Sequence, residues 1–158
     1  MGAGILPMAI NNNTIYFLLG KEYYDKKWSD FGGSKDSKTE TIFETAIREG
    51  YEELNGFLGT KSNVKQMVND NYITKISKDD NTYHTYLFKI PYDPLLPEYF
   101  NNHHKFIQTQ FPDKINKNGF FEKSDIKWLT LDDLNNNKKY KFRYHYKEIV
   151  RKILQLKF

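Results

Sequence analysis

The 158-residue chain contains no cysteine, which excludes disulfide staples and thiolate metal centres and leaves the redox compartment open. With only five prolines and nine glycines, it is neither collagen-like nor a Pro/Gly-rich low-complexity chain. No apolar run approaches the ~20 residues of a membrane-spanning helix. The N-terminus also lacks a basic region followed by an apolar stretch and a cleavage site. A soluble, cytoplasmic protein is therefore expected. Met1-Gly2 fits the start of a myristoylation signal, but Leu6 stands where Ser or Thr is required. No internal repeat is present, and the Asn runs are too short to form a low-complexity region.

What is present describes a folded chain. At 158 residues and 39% hydrophobic content, there is enough for one core and too little for two, so residues 1–158 are expected to form a single domain. Charged residues make up 28% and aromatics 16%, so many flat side chains serve either as core or as stacking surface. The net charge of +4 favours an anionic ligand through the summed field. Nucleotides, RNA and inositol phosphates all satisfy that condition.

Local pattern predicts strands first. Gly4 to Ile10 and Thr14 to Leu19 are rich in apolar, β-branched or aromatic residues around an Asn11-Asn12-Asn13 turn. Trp28 to Gly33 reads as a short aromatic strand ending in two glycines able to take positive φ at a sharp turn. Thr41-Ile42-Phe43-Glu44 matches a capping box and starts a helix. Its apolar stripe is Phe43, Ala46, Ile47, Gly50 and Leu54, and Asn55-Gly56 closes it. Asn71–Ile76 and Thr82–Ile90 suggest a hairpin about Asp79-Asp80-Asn81. Pro91–Pro97 reads as a loop, Asn101–Asn118 has no clear period, and Ile126–Leu129 forms a last strand before a helical turn at Leu131–Leu134. Phe142, Tyr146, Ile149, Val150, Ile153 and Leu154 recur at helical spacing, which predicts an amphipathic C-terminal helix.

Chemistry concentrates in Arg48-Glu49-Gly50-Tyr51-Glu52-Glu53. Glu49, Glu52 and Glu53 stand at i, i+3 and i+4, so a helix projects all three carboxylates from neighbouring turns. Carboxylate oxygens suit Mg²⁺, which takes one or two of them and fills its other positions with water and phosphate. Most acidic helix faces are simply solvated, and Arg48 has ordinary partners in Glu44 and Glu52. The wider stretch from Trp28 to Gly56 decides between these readings.

That stretch resembles the box of the Nudix hydrolases, with Gly33, Glu40, Arg48, Glu49, Glu52 and Glu53 at the matching places. The interval from Glu40 to Arg48 and the Arg-Glu-x-x-Glu-Glu core agree without adjustment. Three departures stand out: six residues rather than five separate Gly33 from Glu40, Gly50 replaces a larger apolar residue, and Asn55 occupies the final glycine place. The opening strands and the run from Glu122 through Asp125, Trp128 and Leu129 to Leu134 are also similar to the family.

The resemblance implies an α/β fold, an α/β/α sandwich around a central mixed β-sheet. It further implies Mg²⁺ (or Mn²⁺) held by Glu49, Glu52, Glu53 and the Gly33 carbonyl, with Arg48 orienting the carboxylates through charge-assisted bonds and Glu40 bracing the loop. Bound ions would neutralise phosphate charge and lower the pKa of the attacking water. The general base would be Glu52, Glu53, or Glu122 from a distant loop, although an acid before a strand is as readily a plain surface residue.

Lys21, at the end of the second strand, is a candidate phosphate contact beside its ordinary reading as a solvated lysine. His84, His103 and His104 lack a third ligand at a recognised spacing; as an extended pair, His103 and His104 point to opposite faces, so exposure or a phosphate contact is expected. Three functions follow: cleavage of a diphosphate linkage in a nucleoside diphosphate-linked substrate, mRNA decapping, or a non-catalytic nucleotide- or RNA-binding module. The basic, aromatic tail from Lys138 to Lys157 allows RNA as a partner. Retention of every box carboxylate argues against the third.

Overall fold

The computed structural model describes residues 1–158. Its centre is β1 (Gly2–Asn11), which pairs antiparallel with β2 (Thr14–Glu22) and parallel with β6 (Tyr83–Lys89). Asn12 and Asn13 both have positive φ (48° and 59°), the backbone that a tight hairpin requires of its two central residues. The sheet runs β3-β2-β1-β6-β5, where β3 is Trp28–Ser29 and β5 is Tyr72–Ser77; β4 (Phe31–Ser34) also pairs with β1 and β7 (Lys123–Thr130) with β2. One parallel pairing among antiparallel ones makes the sheet mixed.

Helices cover both faces, and this is why β1 is apolar throughout. Its residues alternate between two cores: Ala3, Ile5 and Ala9 face one, Leu6 and Met8 the other. The first core lies under α1 (Ile42–Glu53) and α2 (Lys61–Asp70), through Ala46, Ile47, Val64 and Val68. The second lies under α4 (Leu131–Asn135) and α5 (Lys147–Ile153), through Leu134, Ile149, Val150 and Ile153. The result is an α/β/α sandwich. No helix is long and apolar enough to cross a membrane.

Helix α1 begins as its sequence predicts, with both halves of the Thr41–Glu44 capping box made. Past its cap at Leu54, the chain turns away through Asn55 (φ 50°) and Gly56 (φ 73°). Gly50 has a packing reason: a Cβ there would come within 2.3 Å of the Ile5 side chain, so the absent side chain lets α1 settle onto β1.

Several expectations are corrected. Gly32 and Gly33 are extended residues of β4, not a positive-φ turn. The region read as loop and unassigned chain contains the fifteen-residue α3 (Leu96–Gln110). This helix covers the edge of β7, where the Asn101 side chain accepts from the Ile126 N–H (2.7 Å) and donates to the Ile126 carbonyl (3.3 Å), satisfying backbone that an edge strand otherwise leaves open. His103 and His104 lie on α3 rather than on an extended segment, and His104 is buried 3.1 Å from the Phe121 carbonyl. His84 is also buried, against Ser77 Oγ (2.7 Å). The C-terminal helix starts only at Lys147. Before it the chain runs alongside β3, with Trp28 N–H donating to the Lys141 carbonyl (2.8 Å) and Arg143 N–H to the Trp28 carbonyl (3.0 Å).

Candidate active site

Three box residues on α1, Arg48, Glu49 and Glu53, meet β4, and Glu52 joins them through Arg48. Arg48 is the hub: its Nε donates to Glu40 (2.8 Å), Nη1 to Glu49 (2.8 Å) and Glu52 (3.1 Å), and Nη2 to the Ser34 carbonyl (2.8 Å). One guanidinium thus ties the helix to the loop, using the fixed fork of donors that lysine lacks. Glu49 lies against Gly33, where a Cβ would come within 2.6 Å of its carboxyl atoms. Glu53 is buried and accepts from the Gly32 N–H (2.6 Å).

Glu40 sits outside the carboxylate cluster, accepting from Asp36 N–H and Thr45 Oγ1. Hydrogen bonding from Arg48 holds its carboxyl down at about 2, and the Asp36 and Thr45 bonds work in the same direction. A depressed folded-state pKa stabilises the fold above the unfolded value and loses that effect as pH falls through the folded one. Glu40→Gln is therefore expected to cost roughly 2 kcal/mol at pH 7. Urea midpoints of parent and variant should converge progressively below about pH 4.5. A gap independent of pH would show that charge is not what Glu40 contributes.

The sheet adds side chains that the box does not contain. Glu122, just before β7, offers an oxygen that lies with those of Glu53 and Glu22 within 4.8 Å of one another. Glu22, the last residue of β2, accepts from the buried Lys123 and from Arg143 Nη1 (3.0 Å). Lys123 Nζ also donates to Ser29 Oγ (2.9 Å) and lies 3.4 Å from Glu53. A bulge delivers it: Lys21 pairs with Asp125 but Glu22 pairs with Lys123, so two steps on β7 match one on β2. Asp30, wholly buried between β3 and β4, accepts from Tyr83 Oη (2.7 Å) and Thr85 Oγ1 (2.6 Å). Burial lifts its carboxyl to about 6 against those two bonds.

Lys21 is not brought to this cluster. It lies on the α5 side of the sheet, paired with Asp125 (2.9 Å) and over the Trp28 ring.

Electrostatics decide what the cluster can accept. Burial raises Glu49 to about 7, with Arg48 opposing and Glu52 and Glu122 adding to the rise. Burial likewise pushes Glu53 well up, opposed by Lys123 and reinforced by Glu22, Glu122 and Glu49; Glu122 is raised by burial and by Glu22. Like charges crowded out of water disfavour ionisation, and hard divalent cations relieve that crowding through oxygen ligands. The donor set fits Mg²⁺ or Mn²⁺.

No family model and no curated protein matches the sequence. Solved structures nevertheless share its fold. An Ap4A hydrolase of C. elegans in a binary complex superposes with TM-score 0.57 at 19% identity, covering 97% of this chain and 95% of that one. A second structure of C. elegans Ap4A hydrolase gives 0.52 at 18%, covering 96% and 93%. A Listeria monocytogenes protein assigned to the Nudix hydrolases gives 0.51 at 14%, covering 98% and 92%. The chain has the Nudix fold.

Proposed function

We propose that residues 1–158 are a single-domain, metal-dependent Nudix hydrolase that cleaves a diphosphate linkage in a nucleoside diphosphate-linked substrate. The observation that carries this reading is convergence: Glu122, remote in sequence, comes within 4.8 Å of the box residue Glu53, while Arg48 gathers Glu49 and Glu52 beside it. Glu49, Glu52, Glu53 and the Gly33 carbonyl would hold Mg²⁺ or Mn²⁺. Such ions, when bound, neutralise phosphate charge and acidify the attacking water. Glu122 would accept the water's proton, and burial with Glu22 alongside makes its carboxylate more basic than a free one. Arg48 keeps Glu49 and Glu52 in place throughout.

A cleft of about 330 Å³ lined by Gly32, Gly33, Tyr83, Arg143 and His145 adjoins the cluster and offers room for part of the nucleotide. The Ap4A hydrolase likeness puts dinucleoside polyphosphates in the substrate panel. A second reading, mRNA decapping, is favoured by a hollow of about 730 Å³ between Lys27, Lys141, Tyr144, Lys147 and Arg151. Tyr144 is 88% exposed, as a base-stacking platform requires.

The test is turnover with Mg²⁺ or Mn²⁺ of nucleoside diphosphate conjugates, dinucleoside polyphosphates, oxidised nucleotides, diphosphoinositol phosphates and capped RNA. Cleavage of a small conjugate, abolished by chelation, is the expected result. Preference for capped RNA selects the second reading. Inertness toward the whole panel would overturn both and leave a binding module.

A further inference from the structure

Lys123 carries its charge on a fully buried side chain. Its stem lies against Gly20, where a Cβ would come within 2.8 Å of Lys123 Cδ. The β7 bulge aims it inward. Its ammonium meets Glu22, Ser29 Oγ at 2.9 Å and Glu53 at 3.4 Å. Arg143 Nη1 adds a second cation to Glu22 at 3.0 Å. Glu22, Glu53 and Glu122 otherwise have the spacing of a cation site, with ligand oxygens within 4.8 Å of one another.

An ammonium so placed and a divalent ion compete for the same oxygens. A cation bound among these three glutamates would sit a few ångströms from Nζ, and the Lys123 side chain is fully buried there. We propose that Lys123 is a resident cation that closes the Glu22–Glu53–Glu122 triangle to divalent ions and confines them to the outer side of the cluster, toward Glu49 and Glu52. The proposal rests on the metal-dependent reading above. It makes Lys123 a positioning residue and removes Glu22, otherwise a plausible ligand by distance, from the metal shell.

The test counts ions rather than turnover. Mn²⁺ bound per chain at saturation, measured by electron paramagnetic resonance or calorimetry, should be unchanged in Glu22→Gln, because Gln still accepts from Lys123 and Arg143 and no ligand has been lost. Lys123→Met should bind one Mn²⁺ more than the parent, and its melting temperature should rise more steeply with Mn²⁺, since the ion binds the folded state. The double variant E22Q/K123M should return to the parental count. Loss of an ion in Glu22→Gln would overturn the proposal, even if Lys123→Met fails to fold. An unchanged count in a folded Lys123→Met would overturn it too. A parent chain that binds no Mn²⁺ at all sinks the metal-dependent reading itself, and this inference with it.

Discussion

Glu52→Gln is expected to lower kcat for diphosphate hydrolysis by roughly two to four orders of magnitude while leaving the melting temperature within about 2 °C of the parent or above it. Glu52 is a partly exposed carboxylate 3.1 Å from Arg48, with a side-chain exposure of 21%, and it adds to the repulsion that lifts Glu49. Removing its charge therefore relieves the fold while taking a proposed ligand from the site, the trade that functional carboxylates commonly show. Glu53→Gln should be equally inactive but less stable, by roughly 1–3 kcal/mol. That residue is buried, accepts from the Gly32 N–H at 2.6 Å and faces Lys123 at 3.4 Å. A neutral amide leaves Lys123 short of one counter-charge. Rates and melting curves measured side by side separate the two effects. A fully active Glu52→Gln, Glu53→Gln double variant would end the hydrolase reading.

The contrast between these two glutamates is only half legible in the sequence. Their i, i+1 spacing puts both on α1, but which one is enclosed depends on what lies opposite. Glu53 meets β4 and Lys123, whereas Glu52 points past them. Local pattern gives the box helix, its cap at Thr41 and the turn past its end at Asn55-Gly56, because hydrogen bonds within a few residues set them. Glu22, Asp30, Lys123 and Arg143 are contributed by strand register, a bulge and the segment beside β3. No short window of sequence encodes those contacts. Helix α2 escapes a periodicity reading because it buries only Val64 and Val68. Helix α3 escapes it because Asn101, polar yet inward, serves the edge of β7. The helical spacing from Phe142 onward misleads for a related reason. Phe142, Tyr146, Ile149, Val150 and Ile153 all reach one core, but only the last three do so from α5. The one cue for Arg143 is its place in a basic tail, and that cue points outward.

Gly32→Ala and Gly33→Ala, adjacent and chemically identical changes, are expected to fail in opposite ways. At Gly32 the new Cβ would meet Tyr83 Oη at 2.2 Å, Gly4 Cα at 2.4 Å and the Ala3 carbonyl at 2.6 Å. Two of those atoms are backbone of β1, paired with β4 at this level, so they cannot turn aside. The strand must separate, and Tyr83 must release Asp30, leaving a buried carboxyl short of a partner. Gly32→Ala should therefore cost at least about 3 kcal/mol, seen as a melting temperature lower by roughly 6–12 °C. At Gly33 the three nearest atoms, all at 2.6 Å, are the carboxyl group of Glu49, the far end of a side chain that can swing. Stability should fall by less than about 1 kcal/mol. Glu49, however, leaves the position where Arg48 holds it, and misplacement by about 1 Å costs on the order of a hundredfold in rate. Calorimetry and steady-state kinetics on the pair decide the matter: a stable, fully active Gly33→Ala would mean that the reaction does not use Glu49 where it now lies.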